Sequence, residues 1–163
     1  MKLLHTSPDA YGFEFDPHEA RLFFKVLARY PLIPSGHHRL SRNPEAGAAG
    51  GENQALLEEA LAAHREETRQ KVRRLTGQAG QPPATGTGFR WNAARADLEW
   101  VLQVLNDVRV GSWLALGSPH LQTERSGPVT AEQLAHYWAM DIAGGFEMIF
   151  IAALGGDLPV EGE

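Results

Sequence analysis

The chain has no cysteine, and this absence removes several kinds of chemistry at once. Without thiols there are no disulfide bridges, zinc–thiolate sites, iron–sulfur ligands or thiolate nucleophiles. A chain without disulfides suits a reducing compartment, so we expect a cytoplasmic protein. The first residues, Met1 to His5, lack the apolar core of a signal peptide, and no run approaches roughly 18 uninterrupted apolar residues. We therefore expect no membrane partner.

An excess of positive charge is lacking as well. The formal net charge is −5, whereas proteins that bind nucleic acid by neutralising phosphates are usually basic overall or along one face. We therefore expect no nucleic-acid partner. The 163 residues, 43% of them hydrophobic, are enough for one core, which predicts a single domain over 1–163.

Sequence motifs that would fix a reaction are also missing. The seven histidines show no ligand spacing such as His-Glu-x-x-His, and no serine lies in a Gly-x-Ser-x-Gly elbow. Gly86-Thr87-Gly88 follows no predicted strand and lacks the Gly-Lys-Ser/Thr ending of a phosphate loop, so we interpret it as a turn. The sequence predicts no catalytic residue, no metal and no cofactor, and hence a protein that is not an enzyme.

The pattern of apolar and turn-forming residues predicts a mainly α fold, a bundle of about four helices with a small N-terminal β-hairpin. Short, partly alternating runs at 2–6 and 12–16 form the hairpin. Apolar residues at helical spacing predict the four helices, at 17–30, 52–76, 92–116 and 131–154. Glycine, proline, alanine and polar residues dominate the two segments that we expect to be flexible loops, 35–51 and 77–90.

Local signals mark several helix ends. Asp16 before Pro17 is a typical helix start, and Thr130 with Gln133 has the pattern of a capping box. Asn92 is a suitable cap for the third helix. The fourth helix is expected to end at Gly155-Gly156, since consecutive glycines end helices readily.

Polar side chains interrupt the otherwise apolar third helix. Asn106, Asp107 and Arg109 occur in it, and Arg109 falls at the edge of the apolar arc, where its guanidinium would need a buried partner. We predict that this partner is Asp141, on the border of the inward face of the fourth helix; Asp97, three turns away, is the alternative. The favoured interpretation is a structural ion pair that fixes the register of two core helices. The competing one makes Asn106, Asp107, Arg109 and Asp141 the floor of a pocket or a recognition surface.

Two glycines lie in the middle of the fourth helix, Gly144 and Gly145. Each one destabilises a helix interior by roughly 1 kcal/mol relative to alanine, so a compensating reason is expected. We predict close helix approach, with Trp113 or Trp138 packing over the gap. The alternative is a local kink that opens a site.

Large apolar side chains surround the same helix. Phe146, Met148, Phe150 and Ile151 point in several directions, which predicts either burial on all sides or a subunit interface. With Tyr137 they make this helix a candidate interface, and a homodimer is one expectation.

The run Arg95-Ala-Asp-Leu-Glu-Trp-Val-Leu-Gln-Val-Leu-Asn-Asp-Val-Arg109, followed by Tyr137-Trp138, resembles the signature of the family of domain of unknown function 2017. Asn106, Asp107 and Arg109 match the Leu-Asn-Asp-x-Arg helix of that family, and Tyr137-Trp138 correspond to the motif in its terminal helix. Members are often encoded near the adaptor of the Clp protease. The resemblance implies a non-enzymatic accessory or adaptor protein that binds other proteins, linked to regulated proteolysis. The competing class is a small-molecule-binding bundle with its pocket between the third and fourth helices.

Overall fold

The computed structural model describes residues 1–34, 47–77, 88–118 and 128–160, and it shows a mixed α/β chain that is rich in helix. In chain order the elements are β1 (Lys2–Thr6), β2 (Ala10–Phe15), α1 (Pro17–Leu27), α2 (Gly47–Thr76), β3 (Phe89–Ala94), α3 (Arg95–Ala115) and α4 (Ala131–Gly155). The predicted helices and hairpin are present. The prediction of a mainly α bundle is incomplete, because the hairpin belongs to a three-stranded antiparallel sheet.

The third strand, β3, was missed by the sequence prediction. The predicted loop 77–90 includes Phe89 and Arg90, which belong to β3, where Phe89 pairs with Phe15 and Trp91 pairs with Phe13 on the central strand β2. Strand β3 alternates inward aromatic or small residues with the exposed Arg90, Asn92 and Ala94, which is the period-two pattern of a half-buried strand. The alternation is hard to recognise in the sequence, because the strand has only six residues and follows a glycine-rich segment.

The predicted helix start at Asn92 is therefore wrong. Asn92 is an exposed residue of β3, and α3 begins at Arg95. The carboxylate of Asp97 caps the helix, because its Oδ2 accepts a hydrogen bond from the backbone N–H of Ala94 at 3.0 Å. A cap can thus come from the third residue of a helix when the N-cap residue has no polar side chain.

The other predicted caps are confirmed. Asp16 Oδ1 accepts from the backbone N–H of His18 at 2.7 Å and of Glu19 at 2.8 Å, which starts α1. Thr130 Oγ1 accepts from the backbone N–H of Gln133 at 3.1 Å, which starts α4. Gly156 follows α4 in the left-handed region, at φ 79°, which glycine adopts without strain.

Helix α2 lies at the periphery of the fold. It begins at Gly47, so residues 47–51 are helical and not part of a loop, while 35–46 and 78–87 lie outside the described residues. Only its last turns are well buried, through Thr68, Val72 and Thr76, whereas Leu56 is 64% exposed.

The core lies between the inner face of the sheet and the three helices α1, α3 and α4, with α3 and α4 packed against each other as predicted. Aromatic rings fill its centre. Phe150 of α4 contacts Phe13 edge to face at a centroid distance of 5.2 Å and Phe23 at 5.8 Å. The sheet and α4 are therefore joined directly through aromatic packing.

Candidate functional site

The polar cluster predicted on α3 is divided between two sides of that helix. Arg109 reaches α4, where its Nε lies 3.3 Å from Oε2 of Glu147. Its Nη2 donates to Oδ1 of Asn106 at 3.3 Å, one turn back along α3. These three side chains form one polar cluster at the edge of the α3–α4 contact, which we call the Arg109 group.

The predicted pair of Arg109 with Asp141 is wrong. Asp141 is exposed, and the carboxylate that Arg109 contacts belongs to Glu147, a residue that the sequence prediction did not select. The burial is also the reverse of the expectation, since the Arg109 side chain is 48% exposed and that of Glu147 only 9%. A long arginine side chain keeps its head in water while its stem covers apolar surface, whereas a glutamate on the inner border of α4 cannot do so. One acidic residue inside the run from Ile142 to Leu154 is the signal that points to Glu147.

Glu147 is the most unusual ionisable group among the described residues. Burial raises the pKa of its carboxyl above the ordinary value, and the nearby Arg109 partly opposes this effect. Its Oε1 is buried and makes no hydrogen bond to the described part of the chain, and the same holds for Oγ of Ser112 on α3. Burying a carboxylate that has one unpaired oxygen is unfavourable, and this is why the pKa of Glu147 lies above its ordinary value.

This arrangement predicts how stability depends on pH. The folded pKa of Glu147 lies above its unfolded value, so the folded state binds the proton more tightly and this stabilisation is present at low pH. It is lost as the pH rises from the ordinary value of 4.5 through the raised folded pKa. Denaturant unfolding across that window should show a fall in the free energy of unfolding with rising pH that is steeper in the wild type than in Glu147→Gln.

The exposed Glu132 of the same helix provides the control. Glu132→Gln should retain the wild-type slope, and Arg109→Ala should extend the decline to higher pH, since removing the cation lets the pKa of Glu147 rise further. Parallel stability curves for the wild type and Glu147→Gln would contradict the assignment.

Asp107 lies on the opposite side of α3 and does not join the Arg109 group. Its Oδ1 accepts from the backbone N–H of Leu32 at 2.6 Å and of Ile33 at 3.3 Å, so it holds the segment that follows α1. Gly111, one turn further along α3, allows that segment to approach, because a Cβ at Gly111 would lie 2.4 Å from Cβ of Leu32. Asp107 therefore has a structural role in this fold.

The predicted reason for the glycine pair in α4 is not what the structure shows. A Cβ built at Gly144 or at Gly145 meets no described atom within 4 Å beyond the local helix, so neither glycine serves a close approach to another described segment. No atom of Trp113 or Trp138 lies within that distance. Trp138 instead lies under the ammonium group of Lys25, 4.8 Å from its ring centroid.

The remaining residues of the predicted interface fall into two groups. Phe146 and Phe150 are core residues, with exposures of 7% and 0%. Tyr137 is half-buried and Trp113 is 37% exposed, so both reach the surface. The residues predicted as an interface therefore include both core residues and surface residues.

The outer face of α4 is apolar although it faces solvent. Leu134, Met148 and Ile151 are exposed by 63%, 69% and 59%. The glycine pair lies between them. By length and composition α4 is also apolar enough to cross a membrane, a property that it shares with core helices of soluble proteins, and a third of its most apolar window is buried. Large apolar side chains that are this exposed along one face of a helix are typical of an interaction surface.

A cavity of about 480 Å³ lies between the end of α2, strand β3 and the start of α3, not between α3 and α4 where the sequence predicts a pocket. Trp91 and Trp100 provide aromatic surface, and Trp100 Nε1 donates to Oδ1 of Asp97 at 3.2 Å. Lys71 and Arg74 bring positive charge. Ala96 and Leu75 complete the lining.

No group of three or more histidine, aspartate or glutamate side chains that could hold a metal ion occurs within the described ranges. Compared with known proteins, the chain matches no family model, no curated protein and no solved structure. The resemblance to domain of unknown function 2017 thus stays a prediction from the sequence.

Proposed function

We propose that this chain is a non-enzymatic accessory or adaptor protein that acts by binding other proteins. The observation that carries the proposal is the outer face of α4, where three large apolar side chains are more than half exposed. Burying them against a protein would be favourable by roughly 25 cal/mol for each Å² of apolar surface removed from water. Among the described residues, the ionisable side chain that contacts Glu147 is that of Arg109, an arrangement that an ion pair between two packed helices accounts for.

The link to Clp-type proteolysis follows from the resemblance alone and names the partner to look for first. The tagged wild-type chain should retain a Clp protease subunit or adaptor from its native cell, and the same protein, purified separately, should bind the purified chain. Met148→Glu should weaken that binding, because it places a charge on the apolar face, whereas Gln103→Glu, an exposed position of α3, should not. Failure of the purified proteins to bind would overturn the Clp link, and failure to retain any protein that also binds when purified would overturn the adaptor proposal.

A small-molecule-binding protein is the second candidate, and the cavity lined by Trp91 and Trp100 favours it. Its volume lies in the range of ligand pockets, and its two tryptophans suit a planar aromatic compound. Arg74 and Asp97 in the lining offer such a compound one group of each charge, while Lys71 is already paired with Glu67. Mass spectrometry of the natively purified chain should then detect such a compound, and Trp100→Ala should lose it. Recovery of a protein partner without any bound compound would favour the adaptor proposal over the small-molecule-binding one.

A further inference from the structure

Six residues define the outer face of α4 as a regular helical seam, which we call the α4 seam. They recur at alternating spacings of three and four residues: Leu134, Tyr137, Asp141, Gly144, Met148 and Ile151. This is the heptad spacing by which one helix packs along another. Buried residues such as Ala139, Ala143 and Phe150 occupy the opposite side of α4, so the α4 seam points away from the core.

The α4 seam is complementary to itself. Read backwards it has the same alternation of spacings, so two antiparallel copies can align position by position. Leu134 then lies opposite Ile151 of the second copy, and Tyr137 lies opposite Met148. Asp141, the one charged residue of the seam, lies opposite Gly144, where the absence of a side chain leaves room for it. Large side chains thus face large side chains, and the charged side chain faces a glycine. This fit favours a second copy of α4 over an unrelated helix.

Charge also favours a second copy. Asp141 in an apolar interface needs a cation, since an unpaired buried carboxylate is strongly unfavourable. Arg109 is 48% exposed and is bound to Glu147, which lies one helical turn from Gly144. The aspartate that faces Gly144 from a second copy therefore comes close to this guanidinium, whose five N–H groups can serve two carboxylates.

We infer that the α4 seam is covered by a second copy of this chain, packed antiparallel about a two-fold axis near Asp141 and Gly144. In this dimer Arg109 of each copy binds Asp141 of the other. The inference goes beyond the proposed function, because it assigns the apolar face to a second copy of the chain, so that another protein would bind this face only after the dimer dissociates. The pair of helices is about 26 Å long from Leu134 to Ile151, which gives a small interface and a dissociation constant in the micromolar range.

Sedimentation or light scattering over a concentration series tests the dimer. The wild type should be dimeric at about 100 µM, and Met148→Glu should weaken self-association about 100-fold or more, because two-fold symmetry places each substitution in the interface twice. Gln103→Glu adds the same charge on an exposed part of α3 and should leave the dissociation constant unchanged. A wild type that stays monomeric throughout would overturn the inference.

The inferred pairing of Arg109 with Asp141 predicts the direction in which Asp141→Ala changes the affinity between the two copies. If the second copy's arginine binds the carboxylate, Asp141→Ala should weaken the dimer about tenfold or more. If the carboxylate lies unpaired against apolar surface, the same substitution should strengthen the dimer, and this part of the inference fails.

The absence of cysteine makes the orientation directly measurable. Gly145→Cys introduces a single thiol next to the α4 seam, at a position where a Cβ has open space, and a bis-maleimide should link two copies through it. Arg21→Cys, on the exposed side of α1, should yield no linked dimer at the same concentration. Equal yields from the two variants would contradict packing through the α4 seam.

These results separate the dimer from the adaptor function. A monomeric chain that binds a purified Clp component, or one that binds lipid vesicles through Met148, would overturn the dimer. A dimeric chain that binds no other purified protein would support the inference and overturn the adaptor proposal.

Discussion

Gly111→Ala is expected to lower the free energy of unfolding by about 1 to 3 kcal/mol, although alanine is the better helix former. A Cβ at Gly111 would lie 2.7 Å from the carbonyl carbon of Leu32 and 2.9 Å from the backbone nitrogen of Ile33. These are backbone atoms held in place by Asp107, so they cannot rotate aside as a flexible side chain would. Equilibrium unfolding in urea measures the loss.

Gly145→Ala provides the matched control on the neighbouring helix. A Cβ there meets no described atom within 4 Å, so only helix propensity changes and the free energy of unfolding should rise by about 0.5 to 1 kcal/mol. The same substitution should thus have opposite signs in α3 and α4. A stabilised Gly111→Ala would show that the segment after α1 does not pack against α3 as described.

Phe150→Ala should give the largest loss of stability, about 3 to 5 kcal/mol. The ring is fully buried and joins α4 to both the sheet and α1, since it lies 5.9 Å from the Trp91 ring and 5.8 Å from the Phe23 ring between centroids. Removing it leaves a cavity among rigid aromatic groups that cannot collapse to fill it. Thermal and urea unfolding should both report the loss.

Leu56→Ala, which removes an apolar side chain that is 64% exposed on α2, is the control and should change the free energy of unfolding by less than about 0.5 kcal/mol. Similar losses for the two variants would mean that the core does not centre on the aromatic cluster.

Helix existence was the most predictable part of this fold. The caps at Asp16 and Thr130 are local, because each side chain bonds a backbone N–H two or three residues away, and the sequence displays them directly. Strand β3 was not predictable in the same way, because its pairing partner β2 lies about 80 residues earlier in the chain. Six residues without a visible partner carry little evidence for a strand.

The candidate site likewise combines features that the sequence predicts with features that depend on long-range packing. The sequence indicated that charge occurs where α3 meets α4, and that Arg109 needs an acid. It selected Asp141, with Asp97 as the alternative, and missed Glu147, because only the packing of the two helices turns Glu147 toward Arg109 and leaves Asp141 exposed on the outer face of α4. The glycines illustrate the point further: Gly144-Gly145 drew attention as a pair, yet Gly111 is the glycine that a close approach requires.

From the sequence by itself come the features that depend on neighbours within one or two helical turns: helix periodicity, helix caps, the absence of thiol chemistry and the apolar character of α4. Tertiary structure alone decided the third strand, the acid that pairs with Arg109, the role of Asp107 and the outward direction of the apolar seam. The reason is physical, since hydrogen bonds and steric contacts within a helix connect residues close in sequence, whereas burial and ion pairing depend on which distant segment packs against them.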